Sequence, residues 1–419
     1  MPEVTRDGAR TALRPLAALA GLCLLLVGCT PTTAPTPTPE PVEPRNLTLQ
    51  LGSLLPQTGS FAGFGPATLA AVELAVEDIN SADLGVQIVH EARDAGDATT
   101  DVSLTSTTEL LDLDTTVIIG PVSDGVSKKV IDAITGAGVL QISPGNSSPD
   151  FTRYADDDLY WRTAPSCALE GTAMGQQIYD DGARTLGVLA QTDFCAPMLE
   201  QALVASFERA GGDVVAEESF DGTAAALTEQ NAAVVEAEPD AVVMVTQTKA
   251  GLSVPDLVTA GYEGPELYFV GLSLTDHAAD FPAGSIVGSK ASMPGLDIAE
   301  LDDFTDRLLE LNPAITDFSF AAESYDAVVL AALGALAAND TSGAAIADEL
   351  RAISGASGKG EIATDFESAA ELILNGLAVD YEGFSGSITF DSSGDPLGAI
   401  IGIYEYEDDN TWTRLPAGG

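Results

Sequence analysis

Residues 117–149 constrain the fold more than any other stretch, because they read as a strand, a turn, a helix, a second strand and a loop. Val117–Ile119 and residues 139–142 are short β-branched runs, which are typical of buried parallel strands. The helical spacing between them places four apolar residues on one face: Val126, Val130, Ile131 and Ile134. Two parallel strands joined by a helix bring the loops 120–125 and 143–148 to one edge of a sheet, where open α/β sheets bind ligands.

The same alternation of strands and helices continues along most of the chain. A first run extends from residue 46 to about residue 160, and a second run extends from there to residue 270. The pattern predicts an α/β fold with two doubly wound parallel-sheet lobes. The rest of the chain predicts three helices, at residues 318–338, 344–352 and 366–375, and then two strands around the turn 392–395.

The charge of the chain excludes two classes of partner. Sixty-four acidic residues stand against 17 basic ones, which gives a formal net charge of −47. Nucleic acids and anionic membrane surfaces both require a basic patch, so we expect neither as a partner. The acidity has two interpretations: it favours solubility in salty or acidic surroundings, or it favours binding of cationic ligands.

The sequence lacks the common catalytic and metal-binding motifs. Because the two histidines lie far apart and no HExxH, Gly-x-Ser-x-Gly, P-loop or Cys/His cluster occurs, we expect no catalysis, metal site or cofactor.

The N-terminus has the organisation of a processed targeting segment. Three arginines precede an apolar run at residues 16–27, which is short for a membrane span. The run ends in Leu26-Val27-Gly28-Cys29, which resembles the bacterial lipobox. We therefore expect a lipoprotein signal peptide at residues 1–28, and a lipidated Cys29 followed by a Pro/Thr linker to residue 45. The mature protein would then be extracytoplasmic, anchored to the outer face of the cell membrane. An uncleaved anchor is the alternative.

Four cysteines occur in the whole chain. Cys23 lies in the expected signal peptide and Cys29 carries the expected lipid, which leaves Cys167 and Cys195 in an oxidising compartment. We predict that these two form a disulfide bond. Two buried free thiols are the alternative.

Six segments of the chain resemble the signature segments of type I periplasmic solute-binding proteins, and most closely the leucine/isoleucine/valine-binding group that feeds ABC importers. In order along the chain they are LPQTGSFAGFGPATLAAVELAVEDIN, VIIGPVSDGV, LQISPGNSSPDFT, YWRTAPSCALEG, SYDAV and YEGFSGSITFDSSGDP. The resemblance implies two lobes that close on a small-molecule ligand, and ABC permease and ATPase subunits as partners. It also implies a monomer that contacts the membrane only through its lipid anchor.

The resemblance also implies how the chain divides into lobes. The first lobe would comprise residues 46–165 and 295–383, and the second lobe residues 166–294 and 384–415. Hinge crossings would fall near three residues: Pro165, Gly295 and Gly383.

The resemblance places the ligand-binding positions on particular residues. The aromatic position of the first loop matches Phe64, and the main-chain position of the second loop matches Gly145. The hydroxyl position two residues further on is Ser147, with Asn146 between them. The loop after residues 117–119 contains Ser123 and Asp124. At the position of Asp124, the family pattern has a serine that binds the ligand carboxylate. The expected second-lobe positions are Phe194, Ser273 and, by topology alone, Gln247.

The departures from the family pattern favour a particular kind of ligand. The acid that faces the ligand ammonium in amino-acid-binding relatives is replaced by Cys167, and the second such acid by Ser273. Asp124 would stand where a ligand carboxylate lands, and like charges about 4 Å apart cost roughly 4 kcal/mol at an effective dielectric of about 20. We therefore expect a neutral, hydroxylated, amide-bearing or cationic solute rather than a free α-amino acid.

Several alternatives stay open at this point. Asp124 could cap the helix beginning at Gly125, and Phe64 could serve only in lobe packing. Ser147 could satisfy its own loop, as in an Asx-type turn. A ligand-sensing lipoprotein with the same fold and no transporter would have the same anchor, linker and cleft.

Overall fold

The computed structural model describes residues 45–192, 195–246, 249–271, 281–294, 301–398 and 400–415. The expected signal peptide, the lipidated Cys29 and the linker up to residue 44 lie outside this part of the chain. So do three expected ligand-binding residues: Phe194, Gln247 and Ser273. The described residues all belong to one compact unit.

The first sheet has five parallel strands. They are β1 (Leu47–Leu55), β2 (Val86–Asp94), β3 (Val117–Ile119), β4 (Leu140–Ser143) and β5 (Tyr160–Arg162). Their order is β2-β1-β3-β4-β5, and the connecting helices are α1 (Gly65–Ala82), α2 (Val102–Leu111) and α3 (Asp124–Gly136). Every residue of β3 and β4 is buried, as the β-branched runs predict.

The second sheet repeats this arrangement. It contains β6 (Thr185–Gln191), β7 (Asp213–Phe220), β8 (Ala241–Val245), β9 (Leu267–Val270) and β10 (Lys290–Pro294). Its helices are α4 (Cys167–Asp180), α5 (Ala196–Ala210), α6 (Thr228–Glu236) and α7 (Val254–Ala260). The strand order β7-β6-β8-β9-β10 is the order of the first sheet, so the prediction of two doubly wound lobes is confirmed. We call the parts of the chain built around the two sheets the first lobe and the second lobe.

After β10 the chain returns to the first lobe. The elements there are α8 (Asp302–Leu311), α9 (Ala321–Ala338), α10 (Gly343–Ile353), β11 (Glu361–Ala363), α11 (Phe366–Leu374), β12 (Val379–Gly383) and β13 (Gly386–Ser387). The three strands form a small separate sheet in the order β11-β12-β13. Among the described helices, α9 is the one whose length and hydropathy would let it cross a membrane, but 78% of it is buried. Because its alanine-rich surface packs in the first-lobe core, it is a core helix of this fold.

The predicted pair of strands around the turn 392–395 is wrong. Only an isolated bridge between Phe390 and Pro396 spans that turn. The chain beyond it forms β14 (Ile401–Tyr406), antiparallel to β10, and then β15 (Trp412–Arg414), antiparallel to β14. The two sides of the turn separate because their apolar residues are buried in different lobes. The second sheet is therefore mixed, with two antiparallel strands added at the β10 edge.

The packing of residues 388–390 indicates where the first lobe ends. Ile388 and Phe390 belong to the buried cluster of the first lobe, and the Phe390 ring meets the Trp161 ring edge-on at a centroid distance of 5.0 Å. We therefore propose that the last hinge crossing follows Pro396 rather than Gly383. The crossing expected near Gly295 lies outside the described residues.

A buried arginine joins the end of the first sheet to the turn that precedes the last crossing. The Arg162 side chain is fully buried, and its Nε and Nη2 donate to the two carboxylate oxygens of Asp395 at 2.6 and 2.7 Å. Nη2 also donates to the Thr152 hydroxyl at 3.0 Å. Nη1 donates to the carbonyl oxygens of Asn146 and Ser148 at 3.3 and 2.7 Å. The Arg162 guanidinium therefore holds two segments in place: the turn at Asp395 and the loop at residues 143–148, which we call the second ligand loop.

The predicted disulfide bond between Cys167 and Cys195 is present, with a Cα–Cα distance of 6.3 Å. It joins the first residue of α4 to the residue before α5. These helices pack closely because Gly171 and Gly175 of α4 lie against carbonyl groups of α5, where a Cβ atom would overlap the backbone. The disulfide bond thus closes one end of an already tight helix pair.

We expect Asp395→Asn to lower the free energy of unfolding by about 3–5 kcal/mol, because it leaves the buried Arg162 guanidinium without its charge partner. Denaturant unfolding followed by circular dichroism measures this loss. The matched control is Glu109→Gln, which breaks the exposed ion pair with Arg93 and should cost less than about 1 kcal/mol. Equal effects of the two substitutions would contradict the structural role given to Arg162.

Candidate ligand-binding cleft

A cleft of about 710 Å³ lies where the carboxyl ends of the two sheets face each other. The first lobe contributes the loops after β3 and β4, including Ser123, Gly145 and Ser147. The second lobe contributes residues that follow β6, β8 and β9, including Thr246 and Gly271. This is the position at which doubly wound sheets bind ligands, and the volume is within the usual range for small-molecule sites.

Hydrogen bonds join the two first-lobe loops to each other. The Ser143 hydroxyl donates to the Pro121 carbonyl at 2.7 Å and accepts from the Asn146 amide at 2.9 Å. The Asn146 side chain donates to the Val122 carbonyl at 3.0 Å and accepts from the Tyr160 hydroxyl at 2.8 Å. Asn146 is fully buried and is not among the cleft-lining residues. Its side chain therefore positions the loop.

Asp124 lines the cleft and does not cap a helix. Helix α3 begins at Asp124 itself, and the preceding Ser123 makes no side-chain capping bond. The Asp124 Oδ1 atom instead accepts from the backbone amides of Ser147 and Ser148, at 3.1 and 3.4 Å. Burial raises the pKa of Asp124, and these two amide bonds oppose the rise. The carboxylate thus connects the two ligand loops, while direct contact with a ligand stays a prediction.

The aromatic surface of the first lobe is formed by residues that pack around Phe64. Phe64 is not among the lining residues; its ring packs edge-on against Phe61 at 5.5 Å and against Phe320 at 5.3 Å. Phe61 and Phe320 do line the cleft, together with Phe318. Phe320 has a φ of +65°, which is rare and unfavourable for an aromatic residue. Such strained positions occur preferentially at functional sites.

Three residues predicted for the second-lobe surface lie outside the described part of the chain, but residues next to them in the sequence are described. Cys195 lies next to Phe194, and Thr246 precedes Gln247; both Cys195 and Thr246 line the cleft. The Thr246 hydroxyl donates to the Gln191 side-chain oxygen at 2.8 Å, which holds the ends of β6 and β8 together. From the C-terminal strands, Tyr404 and Trp412 add aromatic surface.

Glu170 is a cleft-lining residue that sequence reasoning missed. Its side chain lies on α4 and is only 4% exposed. The Oε1 atom accepts from the Ser292 hydroxyl at 2.8 Å and from the Gly271 amide at 3.2 Å. Burial raises the pKa of Glu170 to about 7, although both hydrogen bonds favour the ionised form. The one available signal is its spacing, since it lies three residues, about one helical turn, after Cys167.

The charged groups around the cleft are mostly acidic. Lys128 lines it, and its ammonium group pairs with Asp150. Glu323, at the start of α9, also lines the cleft, and loss of solvation raises its pKa to about 7. Within the described ranges, no group of three or more metal-ligating side chains is present.

Comparisons with known proteins agree with this geometry. Residues 48–371 match the family described as periplasmic binding protein. The chain is 24% identical over 384 residues to the chemotactic signal transduction system substrate-binding protein BasB of Halobacterium salinarum, covering 87% of this chain and 88% of that protein.

Two solved structures show the same fold. A leucine-binding protein from Thermotoga maritima has a TM-score of 0.65 and 17% identity, covering 88% of this chain and 98% of that one. An ABC transporter solute-binding protein from R. palustris, in complex with benzoate, has a TM-score of 0.61 and 19% identity, covering 88% and 95%. With the family match running over residues 48–371 of 419, the chain belongs to the periplasmic binding protein family.

Proposed function

We propose that this protein is the extracytoplasmic solute-binding lipoprotein of an ABC importer and that it captures a small polar solute by lobe closure. The observation that carries the proposal is the cleft itself, because loops from both sheets line it. A solute held there touches both lobes at once. In the proposed role the protein delivers the solute to permease and ATPase subunits and catalyses no reaction.

Closure would work as a shift between two states of the same molecule. The lobes are separately packed around their own sheets. A ligand that contacts both lobes binds the closed state better than the open one, so it raises the closed population. The permease would then distinguish the two states by their shape.

A position outside the cytoplasm agrees with both the disulfide bond and the proposed lipid anchor. A bond between Cys167 and Cys195 is favoured in an oxidising compartment. Residues 1–28 would be removed, and acyl chains on Cys29 would hold the protein at the membrane surface. The proline-rich linker would separate the lobes from the lipid. We propose that the protein is monomeric and binds the membrane through this anchor alone.

A second candidate function is ligand sensing without transport. The relative in Halobacterium salinarum is named as a substrate-binding protein of a chemotactic signal transduction system, and it matches 87% of this chain. The closed state would then dock on a membrane receptor instead of a permease. The two roles differ in one measurement: the liganded protein stimulates the ATPase of a reconstituted importer only in the transport role.

We expect saturation with the correct solute to reduce the radius of gyration in small-angle X-ray scattering and to raise the melting temperature. Candidate solutes are amino acids, amides, polyamines, sugars and nucleosides. A ligand at 100 times its dissociation constant adds about 2.7 kcal/mol of stability. Ser147→Trp, which fills the cleft, should abolish both effects, whereas Ser357→Trp on an exposed loop should preserve them. Binding without any compaction would argue against capture by closure.

We expect Cys29→Ser to release the protein from the membrane fraction of a lipoprotein-processing host, because the acylated thiol is lost. Fractionation and metabolic labelling with a fatty acid measure this. Cys23→Ser is the matched control, since that cysteine lies within the expected signal peptide and its loss should leave both anchoring and labelling unchanged. Membrane retention and labelling of the Cys29→Ser variant would contradict lipidation at this residue.

A further inference from the structure

The amides that would receive a ligand carboxylate are already occupied. The backbone N–H groups of Ser147 and Ser148 lie at the carboxyl edge of the first sheet, and both donate to Asp124 Oδ1 at 3.1 and 3.4 Å. The chain thus supplies its own carboxylate at this point. An incoming ligand carboxylate would lose these donors to Asp124 and would also be repelled by its charge.

A second carboxylate faces the cleft from the other lobe. Glu170 is 4% exposed, and its Oε1 atom accepts from Ser292 and Gly271. Its Oε2 atom has no hydrogen-bond partner in the described part of the chain. Ionising a carboxyl group that is this deeply buried is costly unless a cation or further donors approach it. A ligand cation in the cleft would supply that missing partner.

The remaining lining residues fit the same class of ligand. Asp124, Glu170 and Glu323 line the cleft without a lysine or arginine in ion-pair contact in the described ranges, while the cation Lys128 is paired with Asp150. The rings of Phe61, Phe318, Phe320 and Trp412 offer apolar surface and aromatic faces that attract cations. The cleft combines unpaired acids with an apolar interior.

We propose that the captured solute is an organic cation without a carboxylate, namely an amine or guanidinium compound with an apolar body; this proposal rests on the proposed function. In this site Glu170 binds the positive charge, and Asp124 excludes carboxylates by occupying the amides of Ser147 and Ser148. Glu170 therefore takes over, one helical turn along α4, the charge that the family pattern places at Cys167.

Four matched pairs test this assignment by isothermal titration calorimetry on the mature protein. Each pair is an amino acid and the amine left when its carboxylate is removed: leucine and 3-methylbutylamine, phenylalanine and phenethylamine, lysine and cadaverine, arginine and agmatine. We expect at least one amine to bind at least about tenfold more tightly than its amino acid. An amino acid that binds as tightly as its amine overturns the inference.

Failure of this inference is distinguishable from failure of the proposed function. If none of the eight compounds binds but a neutral or carboxylate-bearing solute of the wider panel compacts the protein in scattering, the cation assignment is wrong and solute capture stands. If no solute of the wider panel binds or compacts the protein, both are contradicted.

Two substitutions assign the roles of the acids. Glu170→Gln keeps acceptor geometry for Ser292 and Gly271 but removes the charge, so the bound amine should lose about 10- to 100-fold in affinity. Glu208→Gln, on an exposed face of α5, should leave the affinity for the amine unchanged.

Asp124→Ser frees the two amides and should raise the affinity of the matching amino acid at least about tenfold. Unchanged amine affinity in Glu170→Gln, or no gain for the amino acid in Asp124→Ser, contradicts the corresponding role.

The affinity for the amine should also depend on pH. Burial raises the pKa of Glu170 to about 7, and the described groups that act on it, Ser292 and Gly271, are uncharged. Asp124, Glu323 and the Lys128–Asp150 pair face the same cleft from the first lobe. Because the cation binds the ionised carboxylate, affinity should fall up to about tenfold per pH unit below 7 and be constant above it. Glu170→Gln should flatten this profile; an equally steep profile in that variant would overturn the assignment.

Discussion

The fully buried guanidinium of Arg162 is the interaction on which the geometry of the cleft depends. A buried charge persists only when its donors and its countercharge are fully satisfied. Arg162 meets this condition with both oxygens of Asp395, the Thr152 hydroxyl and the carbonyls of Asn146 and Ser148. Because the bonds to Asp395 and to the two carbonyls come from one rigid planar group, the turn at residue 395 and the second ligand loop cannot move independently. Arg162 thus connects the turn at Asp395 directly to the loop at residues 143–148.

This constraint explains why the loop at residues 146–148 presents a fixed set of groups. The carbonyls of Asn146 and Ser148 point back to Arg162, and the amides of Ser147 and Ser148 point to Asp124. The Ser147 carbonyl accepts from the Cys167 amide of the second lobe at 3.3 Å. The loop is therefore saturated with protein hydrogen bonds on its main chain. Ser147 and Ser148 of this loop line the cleft.

The sequence predicts most of the fold because local patterns and global packing agree there. Residues 117–149 give β3 and β4 within one residue of their observed bounds, and α3 with a start three residues later than observed, since β-branched runs and helical apolar spacing indicate each element directly. Prediction failed at the turn 392–395 for a physical reason. Apolar alternation shows that a strand is half-buried but does not show which sheet it joins, and Phe390 and Tyr404 are buried in different lobes.

The candidate site was predictable only in part. Both predicted loops line the cleft, because the carboxyl edge of a parallel sheet is a topological consequence of strand order. Phe61 and Phe320, which pack on either side of the Phe64 ring, line the cleft, while ligand contact by Phe64 itself stays a prediction. Glu170 was missed because, in a chain this acidic, its spacing of three residues from Cys167 does not distinguish it from the other acids before tertiary structure shows its burial.

The second-lobe acid and the disulfide bond are connected through α4. The bond ties the first residue of this helix to the residue before α5, so the start of α4 has little freedom to shift. Cys167 and Glu170 are three residues apart and lie on adjacent parts of one helical face. Ser292 of β10 and Gly271 after β9 then orient the carboxylate from the sheet side. The disulfide bond and these two hydrogen bonds together determine where the Glu170 carboxylate lies in the cleft.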